Sequence, residues 1–347
     1  SHMRRIFAYI RSEKNISEDA MNKPKVSVCV TAFNHEKYIE KCLKSILSQR
    51  TNFDFEIIVH DDASQDGTAS IIREYAKRHP SLIIPILQTK NCYSEDGHAP
   101  LMNCATMARG EYLAICEGDD YWLESDKLKI QNEVLDKNKK ATLVVSPGKI
   151  EYDGKLINRL HCYHGPALKS FKAQDVLNSV GQFAPTASYF CRKNIITGAL
   201  ELFHGAPIGD FFTEVYAGIL GEIIYYPKVF SVYRAQTEFS WSASMLKDRV
   251  RKMLDYVNKM ELVISRYNEN PNLPRLNWDK KYAEMYFGLA VAYLEEGRMN
   301  EIPNFIEKSI SFQEFSKKQK VLYFSRNSKI ALLTLRHMLP ITRRLLR

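Results

Sequence analysis

The sequence predicts an α/β fold: a Rossmann-like, mixed but mainly parallel sheet flanked by helices, followed by a helical C-terminal region. Three observations predict it. Short apolar runs alternate with amphipathic stretches through about the first 120 residues, polar residues gather where those runs end, and from about residue 245 the pattern turns almost wholly helical. Alternation of this kind buries both faces of a sheet under helices. Ligands of such sheets bind beyond the carboxyl ends of the strands, where strand order reverses.

Ser1-His2 ahead of Met3 reads as a tag remnant, and residues 1–23 as that remnant plus a basic helical extension. Residues 24–135 form a first half. Within it, residues 26–32 (Val-Ser-Val-Cys-Val-Thr-Ala) read as a strand between Pro24 and Asn34. Residues 36–49 place Tyr38, Ile39, Leu43, Ile46 and Leu47 on one helical face. A second strand at Phe55–Val59 precedes a helix at 67–79, with Ser64 or Asp66 as its N-cap. A third strand at Leu82–Leu87 and a helix at 98–109 lead to a fourth strand, Tyr112–Cys116, which ends in Glu117-Gly118-Asp119-Asp120.

Residues 136–244 are less regular, with strands expected near 142–150, 186–191 and 223–233 and a helix from Asp210 to Leu220. Residues 245–315 are helical. Tyr282–Ile310 reads as a helical hairpin turning at Glu296-Gly297-Arg298, and because a solenoid needs about three repeats, docking helices are expected.

Composition narrows the function classes. The chain has 347 residues, 45% of them hydrophobic and 26% charged, enough apolar material for a sizeable core. Seven cysteines at 29, 42, 92, 104, 116, 162 and 191 show no CxxC pair, so neither a zinc site nor a disulfide framework is indicated and a reducing cytoplasm fits. No apolar run approaches the roughly 18–20 residues of a membrane span, and no signal-peptide pattern opens the chain. The net charge of +9 is local: residues 1–244 hold 29 basic and 29 acidic residues, whereas 245–347 hold 20 and 11. A nucleic-acid binder is disfavoured because the first part is neutral. A dehydrogenase is disfavoured because no GxGxxG follows the first strand.

Two carboxylate pairs carry the chemistry. Asp119-Asp120 follow a buried strand, where adjacent carboxylates repel unless a cation or polar ligand offsets them; a solvated acidic turn is the plain alternative. Hard ions such as Mg²⁺ take one or two carboxylates and complete their shell with phosphate oxygens and water. Asp61-Asp62 occupy the same place after the second strand, where a carboxylate can accept from a nucleobase N–H or a ribose hydroxyl; loop and cap roles are the plain alternative. Asp210, opening a helix, reads by itself as an N-cap.

The run Val-Ser-Val-Cys-Val-Thr-Ala-Phe-Asn at 26–34 resembles the first strand of family 2 glycosyltransferases. Glu56-Ile-Ile-Val-His-Asp-Asp-Ala-Ser-Gln-Asp-Gly-Thr68 is similar to their second-strand signature. Asn103 and Ala108-Arg-Gly-Glu-Tyr-Leu-Ala-Ile-Cys-Glu-Gly-Asp-Asp-Tyr-Trp122 resemble the segment leading into their metal-binding acids. The resemblance implies a glycosyltransferase-A fold, a nucleotide-diphosphate sugar donor (a UDP-sugar above all) and Mn²⁺ or Mg²⁺. Carried over by position, Thr31, Ala32, Phe33, Asn34, Asp62, Asn91, Asn103 and Asp119 form the donor set. Asp62 is then on the nucleobase, Asp119 on the ribose or sugar, and Asp120 on the metal. Ile208-Gly209-Asp210-Phe-Phe-Thr-Glu214 looks like the family segment supplying the catalytic base, and Val229-Phe-Ser-Val-Tyr-Arg234 like the strand after it. Where many relatives carry a His two residues on, this chain has Gln236; its carbonyl oxygen, or a His from 161–164, is the expected second metal ligand. The implied reaction is inverting transfer to a hydroxyl of a glycan or lipid-linked glycan, with Asp210 as general base. A nucleotide-sugar-binding module without catalysis, or a helical scaffold, are the rival readings.

Residues 316–347 read as a basic amphipathic tail. Nine basic and no acidic residues run from Lys317 to the end, with Lys329, Arg336, Arg343 and Arg347 on one stripe and Leu332, Leu335, Leu339 and Leu346 on another face. Such a helix suits peripheral contact with an anionic membrane, here the inner face of the cell membrane; an ordinary docking helix with a solvated face is the plain alternative. Pro340 is expected to kink or divide it.

Overall fold

The computed structural model describes residues 23–235, 237, 245 and 248–345. The N-terminal extension to residue 22 and Gln236 lie outside the described residues, and so do Leu346 and Arg347 of the tail.

The first half alternates as the sequence predicts. Strands β1 (Val26–Ala32), β2 (Phe55–Asp61), β3 (Ile83–Leu87) and β4 (Tyr112–Glu117) are separated by helices α1 (Ile39–Leu47), α2 (Thr68–Arg78) and α3 (Ala99–Met107). All pairs among these strands are parallel, in the order β3-β2-β1-β4. Thr31 lies opposite Glu117 and Ala32 opposite Asp61, so the polar strand ends share one edge. Apolar residues fill both faces: Val28, Val30 and Ile57 on one, Cys29, Ile58 and Ile115 on the other. Helix α2 is capped differently from expectation. Gly67 is its N-cap, and Asp66 from one residue earlier accepts the Thr68 N–H and hydroxyl and the Glu36 N–H.

Two prolines redirect the second half. The expected strand at 142–150 is two strands in different sheets, β6 (Ala141–Val145) and β7 (Gly148–Tyr152), broken at Pro147. The expected strand at 223–233 is likewise split around Pro227, into β11 (Glu222–Tyr225) and β12 (Ser231–Arg234). Proline brings no N–H to a ladder, so the chain leaves one sheet and joins another. Residues 186–188 are a 3₁₀ turn ahead of β10 (Phe190–Arg192).

The eight-stranded sheet has the order β3-β2-β1-β4-β10-β6-β11-β9, with β9 at Lys169–Phe171. In it β10 runs antiparallel to both β4 and β6. A second sheet, β5-β12-β7-β8, is built from β5 (Tyr121–Trp122), β12, β7 and β8 (Lys155–His161). Helices α4 (Lys127–Lys137), α5 (Ala173–Leu177), α6 (Lys193–Leu202) and α7 (Gly209–Leu220) complete this part.

The C-terminal region is helical: α8 (Arg249–Glu269), α9 (Asp279–Glu296), α10 (Ile302–Phe312), α11 (Lys317–Ser325) and α12 (Lys329–Leu345). The hairpin turns at Gly297, whose φ of 77° closes α9 in a left-handed cap. The region docks on α7 through rings, with Trp278, itself 5.3 Å from Tyr267 of α8, facing Phe211 and Phe212 at 6.5 and 6.4 Å. The Lys281 ammonium lies 4.2 Å over the Phe211 ring. No helix of the described residues is long and apolar enough to cross a membrane.

The tail corrects two expectations. Helix α12 runs through Pro340 without division. Two leucines of its apolar face meet the protein itself: Leu332 is buried and Leu335 packs against the core. The apolar side chains left in solvent are others, with Phe324 78% and Ile330 79% exposed and Val321, Leu333 and Met338 beside them in sequence also exposed.

Candidate functional site

The acidic turn after β4 is gripped by Arg234 at the end of β12. The Arg234 backbone N–H donates to Asp120 Oδ1 at 2.8 Å, and its Nη1 donates to the Asp119 carbonyl at 2.5 Å. Its Nε donates to Glu151 Oε1 at 2.8 Å, while the guanidinium lies over the Tyr38 and Tyr121 rings at 5.1 and 4.6 Å. A planar guanidinium with fixed donors suits such a multi-point clamp. Asp119 Oδ2 accepts the Thr237 hydroxyl at 2.6 Å and lies 3.9 Å from His35 Nε2.

Burial pushes the Asp120 carboxyl well up, and the Asp119 and Glu117 charges push it further. Glu117, at the end of β4, is pushed up to about 8 by burial, with Asp119 and then Asp210 adding to it. Three carboxyl groups thus crowd one turn. Arg234 neutralises Glu151 through its Nε, so the crowding is only partly offset. A hard divalent cation fits this donor set, since it would offset the charge and accept carboxylate oxygens.

The β1 and β2 ends meet the turn. Thr31 O accepts the Gly118 N–H at 2.8 Å, and Ala32 O accepts the Asp62 N–H at 2.9 Å. Phe33 follows, partly exposed. Asn34 adopts a left-handed φ of 55°; its side chain accepts the Gln65 N–H at 2.7 Å and its N–H reaches Ser64 Oγ at 2.8 Å. The two acids of β2's end divide. Asp61 is held by Ser64 in a local turn. Asp62 reaches across to the loop after β3, accepting the Cys92 N–H at 2.8 Å, the Tyr93 N–H at 3.0 Å and the Cys92 thiol at 2.8 Å. Asn91 Nδ2 donates to Asp62 O at 3.4 Å, and Asn103 on α3 sits 3.3 Å from His60 Nε2. Thr31 through Asn34, Asp62, Asn91, Asn103, Asp119 and Asp120 are therefore brought to one edge of the sheet.

Asp210 lies in the first turn of α7, with Ile208 as the N-cap. Its Oδ1 accepts the Phe211 N–H at 2.7 Å, and its Oδ2 accepts from Gln182 Nε2 at 3.3 Å. Burial raises its carboxyl above the ordinary range, while the Phe211 N–H, Lys281 and Gln182 pull it down. Gln182 Oε1 in turn pairs with His161 Nε2 at 2.9 Å, and the His161 ring stacks on Tyr233 at 5.2 Å. One turn on, the buried Glu214 accepts the Tyr189 hydroxyl at 2.6 Å and the Ala184 N–H at 3.0 Å.

His161 Nε2 therefore pairs through Gln182 with Asp210, and His164 Nε2 is spent on Phe183 O at 2.8 Å. Gln182, Glu151 and Thr237 were missed by sequence reasoning. Gln182 and Thr237 lie outside the regular elements and Glu151 on the short strand β7, and each partner is 28 or more residues away.

Comparison with known proteins follows the same lines. The family profile of Glycosyl transferase family 2 matches residues 27–197. An uncharacterised protein of Mycobacterium tuberculosis is 32% identical over 224 residues, covering 63% of this chain and 61% of that protein. The chain thus spans about three-fifths of the length of that relative. Chondroitin synthase of Escherichia coli is 30% identical over 154 residues, 44% of this chain and 21% of the synthase. In three dimensions the chain is similar to S. aureus TarS 1–349, solved in complex with UDP-GlcNAc, with a TM-score of 0.59 and 17% identity over 90% of this chain and 91% of that one. On its strand-end motifs, its sheet order and this profile match, residues 27–197 are those of glycosyl transferase family 2, and the chain carries the glycosyltransferase-A fold.

Proposed function

We propose that this chain is an inverting glycosyltransferase that moves a sugar from a nucleotide diphosphate, a UDP-sugar above all, to a hydroxyl of a glycan or lipid-linked glycan in surface polysaccharide or glycoconjugate synthesis. One observation carries the reading: the clamped acidic turn and the partly buried Asp210 carboxylate belong to one electrostatic cluster, because Asp119 and Asp210 both push the Glu117 carboxyl up. The UDP-GlcNAc complex of TarS and the name of chondroitin synthase support the donor and acceptor classes.

Asp120, with Asp119 and Glu117 beside it, would hold Mn²⁺ or Mg²⁺. Bound there, the ion supplies charge neutralisation for the departing nucleotide diphosphate. The chain's residues do the rest. Asp62 and the Thr31–Asn34 segment orient the nucleobase, and Asp119 the ribose or sugar. Asp210 Oδ2 takes the proton of the acceptor hydroxyl as that oxygen attacks the anomeric carbon on the face opposite the leaving group. Burial, by raising its carboxyl above the ordinary range, makes it a stronger base than a free carboxylate. Gln182 keeps that carboxylate turned toward the site, and Arg234 keeps the acidic turn from springing open under its own repulsion.

Asp210→Asn tests the reading. Transfer should fall by a factor of roughly 10²–10⁴ while UDP still binds; loss of UDP binding as well removes Asp210 from the base role. The exposed Phe324 and Ile330, flanked by Lys320, Arg326 and Lys329 with no acid after Glu314, also support peripheral seating on an anionic membrane.

A further inference from the structure

We propose that His60, Asp62 and Cys92 form a binding site for a thiophilic divalent cation of the zinc type, distinct from the acidic turn at Asp119–Asp120. Strand β2 and the residue just past its end deliver His60 and Asp62 two residues apart, and the loop after β3 folds Cys92 onto them. One donor atom from each, an imidazole nitrogen, a carboxylate oxygen and a sulfur, lies within 4.8 Å of the other two. Cys92 Sγ is 3.8 Å from His60 Nε2 and 2.8 Å from Asp62 Oδ1.

Zn–S of about 2.3 Å and Zn–N or Zn–O of about 2.0–2.1 Å at tetrahedral angles put neighbouring ligand atoms about 3.3–3.6 Å apart. The sulfur–nitrogen pair already stands within a few tenths of an ångström of this. The sulfur–oxygen pair opens from hydrogen-bond to ligand separation once the thiol proton leaves. The balance is one proton released to solvent per ion bound, with Cys92 ligating as thiolate. Mixed sulfur and imidazole donors select zinc over magnesium or manganese, so the two sites differ in the ion they prefer.

A second observation points the same way. The Gln88 and Asn103 amide nitrogens stand 3.2 and 3.3 Å from the same His60 Nε2 that faces the thiol. One imidazole lone pair cannot accept from both amides, and the thiol proton is already given to Asp62. A cation on that lone pair resolves the conflict, and either amide turned through a half-rotation offers its oxygen as a fourth ligand.

The site also uses Asp62, the residue read above as the nucleobase contact. Zinc and UDP are then mutually exclusive, a consequence that rests on the donor-site reading; zinc binding itself does not. Zn²⁺ titrated into the full chain against a chromophoric chelator, and Co²⁺ as a spectroscopic probe, test both. The intact chain should show a thiolate-to-Co²⁺ charge-transfer band. Cys92→Ser should abolish the band and weaken Zn²⁺ by about 100-fold or more, above the roughly 10–100-fold cost of an outer partner. His60→Gln should weaken Zn²⁺ while keeping a thiolate band of altered geometry. A Cys92→Ser chain that binds Zn²⁺ like the parent overturns the site. Zn²⁺ retained under saturating UDP overturns the exclusion, whereas a zinc-free chain that fails to bind UDP overturns the donor-site reading instead.

Discussion

Arg234 holds Asp120 through its backbone N–H at 2.8 Å while its side chain ties the neighbouring Asp119 carbonyl to Glu151. Both ends of the Arg234–Glu151 pair are largely buried, with side chains 7% and 12% exposed. Removing one partner of a buried pair leaves the other charge uncompensated, at a cost of about 3–5 kcal/mol. Arg234→Ala should lose stability on that scale in chemical denaturation, and Arg234→Lys should recover only part of it, because one ammonium cannot serve both oxygens. A loss under about 1 kcal/mol for Arg234→Ala would show that the clamp does not hold the turn.

Gln182 is expected to act through Asp210 alone. Its hydrogen bond lowers the Asp210 acidity range, so Gln182→Leu should raise it. The acid limb of the kcat profile should then move to higher pH, with kcat reduced and donor KM unchanged. A shift toward lower pH, or a rise in donor KM without a fall in kcat, contradicts a positioning role.

Glu117 makes stability depend on pH. Its folded-state value of about 8 lies above the ordinary 4.5, so the folded chain holds the extra proton between those limits. Stability from this group is present below about pH 4.5 and is lost as pH rises toward 8. Thermal midpoints of the metal-free chain should therefore decline over that window, and Glu117→Gln should flatten the decline. Because a cation binds the ionised form, the apparent Mn²⁺ affinity should rise with pH over the same range. Parallel pH curves for parent and Glu117→Gln would refute this.

The tail prediction rests on the side chains found in solvent. Phe324→Glu with Ile330→Glu should reduce binding to vesicles containing phosphatidylserine by about tenfold or more, with the melting midpoint held. Leu332→Glu, on the docked face, should instead destabilise the chain. Vesicle binding unchanged by the double substitution removes the membrane from the proposal.

Much of the fold's first half is legible because each strand there is a short apolar run closed by a turn signal, and local pattern suffices. The second half is not, since Pro147 and Pro227 move the chain between sheets, and a one-dimensional pattern registers only that a strand breaks. Asp119, Asp120 and Asp210 are visible as acids at element ends. Their keepers are not: Gln182 and Glu151 are ordinary polar residues until folding sets them against partners 28 and 83 positions away. Cysteine spacing indicated no zinc site, and the proposed one could not be read from spacing, because His60 and Cys92 meet only across the loop after β3. The leucine periodicity of the tail was real but served docking, as packing surface and membrane surface look alike in sequence. Gln236, expected as a metal ligand, lies outside the described residues.

The hairpin of β7 and β8 has one further consequence. Along β8 the side chains from Lys155 to Leu160 are mostly in solvent, and only the last residue, His161, stacks on Tyr233 and reaches Gln182. Drift along that strand carries little penalty until its final position, where a change touches the neighbour of Arg234 and the orienter of Asp210 together. Natural variation in a set of homologues should therefore run freely to Leu160 and stop abruptly at His161.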